Sequence, residues 1–144
     1  MFNKLFILSA DDDMDDQDMM EQALKKTRFD HLLTRVPDGY QLLNMLNEIS
    51  QIGHRFPDII FLDLNMPVKN GRETLKILRS EQSAFRNIPL VILTTSRAEQ
   101  DEQFCLKYGV NSYLVKPNSF KELISIVENV ISTHVMDREQ LRSA

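Results

Sequence analysis

Four sites scattered along the chain carry side chains suited to handling a phosphoryl group: the acids Asp11, Asp12 and Asp13, then Asp63, then Thr94 with Thr95, and Lys116 ahead of Pro117. Each follows or closes an apolar, strand-like run. An ionised carboxylate without a partner is too costly to bury, so Asp63, which closes "IIFLD" at 59–63, must stand where a strand leaves the core or be paired there. Two carboxylates about 4 Å apart repel by roughly 4 kcal/mol at an effective dielectric of about 20, so acids gathered at one place need cations. Lys116 supplies one charge. Mg²⁺ suits the remainder, because it takes a few carboxylates together with waters and phosphate oxygens. In such a site Asp63 is a nucleophile for phosphorus, Lys116 neutralises incoming charge, and Thr94 offers a hydroxyl to the product oxygens. Each feature alone also has an ordinary reading. "DDDMDDQD" makes good helix N-caps, a role suited to Asp13, Asp15, Asp16 and Asp18, and "TT" is common in strands.

The elements that must position these residues are legible in the hydrophobic pattern. Strand-like runs stand at "LFILS" (5–9), "LLTRV" (32–36), "IIFLD" (59–63), "LVILTT" (90–95) and "SYLV" (112–115). Between and after them lie stretches of helical period: "DMMEQALKK", "YQLLNMLNEI", "ETLKILRS", "AEQDEQFCLKYG" and "FKELISIVENVISTHV". This (βα)5 alternation predicts an α/β fold, a doubly wound parallel sheet with right-handed crossovers and helices on both faces. A strand apolar on both sides, as 59–62 is, belongs in the middle of such a sheet. In these sheets ligands bind at the carboxyl ends of the strands, where the polar residues fall. "PDG" at 37–39 reads as a turn, "NIP" at 87–89 as the entry to a strand, and Gly109 as a helix C-terminal cap.

The chain of 144 residues suits one domain, expected over 1–135, with a polar tail or helix extension over 136–144. A net charge of -4 gives no excess of Lys and Arg for direct nucleic-acid binding, and no apolar run is long enough for a membrane span. A cytoplasmic protein is the expectation. The single cysteine, Cys105, forms no internal disulfide and reads as an ordinary helix residue. Met19, Met20 and Met45 read as core filling on helix faces, and His31, His54 and His134 are scattered without a catalytic pattern.

Over about residues 4–135 the sequence resembles the receiver domain of two-component response regulators, the CheY-like, flavodoxin-like fold. The matching segments are "FILSADD", "IIFLDLNMP", "NG" at 70–71, "PLVILTTS" and "SYLVKP". The resemblance implies a five-stranded sheet of order 2-1-3-4-5. It implies that Asp63 is the phosphoacceptor for a sensor histidine kinase or histidine phosphotransfer protein. Asp11 and Asp12, with Asp63 and the backbone carbonyl of Asn65, would hold Mg²⁺. Thr94 would be the switch hydroxyl, Tyr113 the aromatic that reorients with it, Lys116 the phosphate-binding lysine, and Lys116–Pro117 a cis peptide. "TTS" and the long "SEQSAFRNIP" are similar to regulators associated with phytochrome-type kinases. Relatives often carry Asn-Pro where this chain has Asp13-Met14, which adds a negative charge beside the metal site. With no second domain expected, output would pass to a downstream protein target or onward in a phosphorelay, from a monomer or weak homodimer. Catalysis would be limited to the protein's own Mg²⁺-dependent phosphorylation and dephosphorylation.

Other readings fit less well. A haloacid dehalogenase-type phosphatase needs an acid two positions after its nucleophile, where Asn65 stands. A flavodoxin-like FMN module needs a Gly, Ser and Thr loop after the first strand, where acids stand. A receiver-fold scaffold acting without phosphorylation is the remaining alternative.

Overall fold

The structure is a computed structural model that describes residues 4–66 and 70–136. Five parallel strands, β1 (Leu5–Ala10), β2 (His31–Val36), β3 (Ile59–Leu62), β4 (Leu90–Thr94) and β5 (Ser112–Val115), form one sheet in the order β2-β1-β3-β4-β5. Between and after them come α1 (Met14–Lys25), α2 (Gly39–Gln51), α3 (Gly71–Leu78), α4 (Glu99–Lys107) and α5 (Phe120–Ile131). The expected (βα)5 fold and strand order are both present.

Alternation along the strands sends side chains to two cores. Ile7, Ile59, Phe61, Val91 and Leu93 meet Met20, Ala23 and Leu24 of α1 and Leu123, Val127 and Ile131 of α5. Leu8, Ala10, Ile60, Leu62, Leu90 and Ile92 meet Leu42 and Leu46 of α2, Leu75 and Leu78 of α3, and Cys105 of α4. The inner strand β3 is buried at all of its positions, as its uninterrupted apolar sequence requires.

Register aligns the strand ends. Ala10 pairs with Leu62, Leu62 with Ile92, and Thr94 with Val115. The residues that follow, Asp11, Asp63 and Lys116, therefore emerge along one edge. Backbone bonds carry the pairing past the strands: Asp63 N–H donates to Ala10 O at 3.0 Å and Lys116 N–H to Thr94 O at 2.7 Å.

Side-chain caps set the helix starts. Asp13, Asp38, Asn70 and Ser119 each accept from the backbone N–H three residues on. "PDG" thus works as the entry to α2, with Asp38 as its cap, rather than as a separate turn. Gly109 ends α4 at φ +86°, the left-handed conformation expected of a C-terminal glycine. The long entry to β4 is stapled by Arg79, whose guanidinium donates to the carbonyls of Phe85, Ile88 and Gly109 and to Asn111 Oδ1.

Several details differ from expectation. β3 stops at Leu62 and β4 at Thr94, leaving Asp63 and Thr95 just outside. The helical pattern predicted through 135 is α-helical only to Ile131 and closes in a π-helical turn, Ser132–Met136. There Val135 is buried and His134 Nε2 lies 2.8 Å from Ser112 Oγ. Among the described residues no peptide bond is cis, so Lys116–Pro117 is trans, the form X-Pro bonds favour by about 0.5–1 kcal/mol. Met20 is buried, but Met19 is largely exposed, one position off the stripe of Gln17, Met20 and Leu24. Residues 137–144, most of the expected tail, lie outside the described residues, as do 67–69.

Candidate functional site

At the carboxyl edge of the sheet, Asp11, Asp12 and Asp63 each offer a carboxylate oxygen, all within 4.8 Å of one another. Asp11 and Asp63 are buried and Asp12 is exposed, so the cluster opens to solvent on one side. The donor set is all oxygen and all anionic, which fits a hard divalent cation rather than a thiolate or imidazole site.

Lys116 lies across this cluster. Its ammonium donates to Asp11 Oδ2 at 2.7 Å, Asp16 Oδ2 at 2.6 Å and Asp63 Oδ2 at 3.3 Å. Burial alone would lower the lysine pKa. The hydrogen bonds to Asp11 and Asp16, with the charges of Asp63 and Asp11, outweigh it and raise the pKa above the ordinary lysine value, so Lys116 is a fixed cation. Burial pushes Asp11 up to about 6, against the lowering effects of its bonds to Lys116 and to the Asp13 N–H. One lysine does not offset this many acids, and a metal ion among the three carboxylates would relieve the excess negative charge.

Asp63 is held on both oxygens: Oδ2 faces Lys116, and Oδ1 accepts from the Asn65 N–H at 3.3 Å. Asn65 itself is exposed. The start of α3 lies against the strand end, where Gly71 N–H donates to Leu64 O at 2.9 Å. A Cβ on Gly71 would sit 2.4 Å from Asp63 O and 2.6 Å from Leu64 Cα. "NG" therefore has two jobs. Asn70 caps α3 through Glu73 N–H, and Gly71 leaves room for the backbone of Asp63 and Leu64.

Thr94 is fully buried at the end of β4, and its Oγ1 accepts from Ser96 N–H at 3.4 Å. The alternation along β4 places it with Leu90 and Ile92 on the α2–α4 side, the side on which Tyr113 packs. Tyr113 Oη donates to Ser96 O at 3.0 Å, so hydroxyl and aromatic meet on one loop residue. Burial raises the Tyr113 pKa and keeps its phenol a donor. The same loop is tied to α3 and α4: Ser96 Oγ donates to Asp101, and Asp101 pairs with Arg72, the residue after Gly71. The Arg72 and Ser96 bonds hold the Asp101 carboxyl below the usual range.

Asp11, Asp12, Asp63 and Lys116 thus stand together, while Thr94 closes β4 at the same edge, where its carbonyl accepts from Lys116 N–H and its hydroxyl from Ser96 N–H. Asp13 does not join the three carboxylates; it caps α1 through Asp16 N–H at 3.1 Å. Two contributors were missed in the sequence. Asp16, read only as a first-turn acid, is the nearest partner of Lys116. Gln17, almost fully buried, donates from Nε2 to the carbonyls of Ser9, Asp11 and Val36 and accepts from Ser9 Oγ, fixing the turn that presents Asp11. Its signal was a polar residue on the buried 17, 20, 24 stripe of α1.

A family model, the response regulator receiver domain, matches residues 7–128. The response regulator Rcp1 of Synechocystis sp. is 33% identical over 127 residues, covering 88% of this chain and 86% of Rcp1. The phosphorylated cyanobacterial phytochrome response regulator RcpA superposes with a TM-score of 0.81 at 29% identity, covering 92% of this chain and 94% of that one. The Mn²⁺-bound form of Rcp1 superposes with a TM-score of 0.79 at 32% identity, over 91% and 94% of the two chains.

Proposed function

The chain belongs to the response regulator receiver family, and on that premise we propose that it accepts its phosphoryl group on Asp63 from a histidine kinase or a histidine phosphotransfer protein. The observation that carries this reading is the convergence of Asp11, Asp12, Asp63 and Lys116, drawn from three strand ends, around one carboxylate that is buried yet beside an open acidic cluster.

In the reaction an Asp63 oxygen attacks phosphorus while the P–N bond to the donor imidazole breaks. The bonding electron pair stays with the imidazole nitrogen, and Asp63 becomes an acyl phosphate. Lys116, 3.3 Å from Asp63 Oδ2, supplies the cation that neutralises a phosphoryl oxygen there. Asp11, Asp12 and Asp63, with the Asn65 backbone carbonyl, would hold Mg²⁺, which supplies charge neutralisation for the phosphoryl group when bound.

The acyl phosphate brings acceptors that the carboxylate lacked. The Thr94 hydroxyl turns from Ser96 N–H to a phosphoryl oxygen, and the loop that also bonds Tyr113 follows. Tyr113 and α4 then repack, changing the surface that a downstream protein reads. Catalysis is confined to the chain's own phosphorylation and dephosphorylation, and the setting is the cytoplasm. Among the described residues no helix is long and apolar enough to cross a membrane. Likeness to RcpA supports a phytochrome-type sensor kinase as the donor.

Site mapping tests the acceptor. Borohydride reduces an aspartyl phosphate to homoserine, so peptides from protein treated with a phosphohistidine donor and Mg²⁺ should carry homoserine at position 63. Homoserine at 11 or 12, or a phosphoryl group on a hydroxyl, would refute the assignment.

A further inference from the structure

Lys116 offers three N–H donors, and three carboxylates from three elements take them: Asp11 after β1, Asp63 after β3 and Asp16 in the first turn of α1. The contact to Asp16 is the shortest at 2.6 Å and that to the acceptor the longest at 3.3 Å. A cavity of about 80 Å³ is lined in part by Asp11, Asp16 and Lys116.

Resting on the acceptor assignment above, we propose that Asp16 is a positioning residue that holds the Lys116 ammonium toward α1 and so lowers the stability of the phosphoryl group on Asp63. A phosphoryl group adds charge at Asp63 and pulls Lys116 that way. Asp16 opposes the move twice, by competing for the ammonium and by repelling the new negative charge. Asp11 competes too, but it belongs to the metal cluster and its second oxygen is committed to the Asp13 N–H. Asp16 stands outside the three-carboxylate cluster, so its charge tunes the lysine without being one of the expected metal ligands.

Asp16→Asn keeps the shape, and the Asp13 cap on the backbone N–H of residue 16 is unaffected. Asp15→Asn is the charge-matched control, removing the same charge one residue away, from an exposed side chain. At saturating Mg²⁺ and fixed acetyl phosphate, the steady-state ratio of phosphorylated to free protein should rise roughly two- to fivefold in Asp16→Asn, the range a half-exposed ion pair spans. The phosphoryl lifetime after donor removal should lengthen, while Asp15→Asn stays near wild type. A structural role for Asp16 would give the opposite sign, because loosening the site lowers phosphorylation. Equal or lower occupancy in Asp16→Asn would overturn the proposal, as would an equal rise in Asp15→Asn, which would assign the effect to net charge. Uptake by wild type that Asp63→Asn abolishes, run in the same gel, shows the acceptor reaction working, so failure of the Asp16 proposal is separable from failure of the acceptor assignment.

Discussion

Gly71→Ala is the substitution whose sign the structure decides most sharply. Gly71 opens α3 with an ordinary negative φ, so the backbone conformation does not demand glycine, and helix propensity alone would make alanine better by about 0.5–1 kcal/mol. Space says otherwise. The new Cβ would lie 2.4 Å from Asp63 O, 2.6 Å from Leu64 Cα and 3.1 Å from Asp63 C, all backbone atoms that no rotamer change can move. Relieving overlaps of this size requires α3 and the acceptor turn to separate by roughly an ångström, and overpacking of this kind costs about 1–3 kcal/mol. The net expectation is a loss of about 1–2 kcal/mol, or roughly 3–8 °C in melting temperature. Displacement falls on Asp63, the proposed acceptor, so phosphoryl uptake at a temperature where the variant is fully folded should drop at least tenfold, because small misplacements at a reacting centre are amplified. Thermal unfolding and intact-mass measurement of phosphorylation check the two parts. A variant as stable as wild type, or more stable, with normal uptake would refute the close-approach argument.

Three further outcomes follow from other contacts. Gln17→Leu removes the amide's bonds to the Ser9, Asp11 and Val36 carbonyls and to the buried Ser9 hydroxyl, leaving Val36 O its bond from Asp11 N–H, and should cost about 1–3 kcal/mol in urea unfolding and weaken Mg²⁺ binding through Asp11; near-neutral stability would show that water takes over the amide's bonds. Thr94→Ala should still take up a phosphoryl group but lose roughly tenfold or more of the phosphorylation-dependent gain in partner affinity, since a hydrogen bond to a charged group contributes about 1.5–3 kcal/mol; an undiminished gain would contradict the switch role. Burial lowers the pKa of His134 below its ordinary 6.5, so its contribution is complete above that pH and is lost as pH falls through it, when the unfolded chain binds the proton first. Wild type should therefore lose more melting temperature below pH 6.5 than His134→Gln, and parallel curves would remove the assignment.

The two-period and helical patterns located every strand and helix, because burial on both faces of a parallel sheet leaves little freedom for apolar residues such as Ile59 to Leu62. The acids, threonine and lysine were legible for a related reason: each interrupts an apolar run where the strand emerges. What stayed hidden depends on relations the pattern does not encode. Asp16 meets Lys116 across 100 residues of sequence, and nothing local distinguishes it from Asp15, which faces solvent. Gly71 is explained only once the start of α3 is seen to lie against the backbone of Asp63 and Leu64. The π-helical turn after Ile131 continues the apolar pattern to Val135 with a different hydrogen-bond spacing, so periodicity alone extended the helix too far. Asp13 was legible as a cap from its place before the first helical turn, and its carboxylate stands apart from the cluster of Asp11, Asp12 and Asp63.

On the proposal above, Asp63 accepts a phosphoryl group in a metal-dependent reaction organised by Asp11, Asp12 and Lys116. Intact mass after incubation with acetyl phosphate, with and without Mg²⁺, for wild type and Asp63→Asn tests it most directly. Wild type should gain a single phosphoryl group only when the metal is present, and Asp63→Asn should gain none. Addition that persists in Asp63→Asn, or that proceeds equally well in chelator, would contradict it.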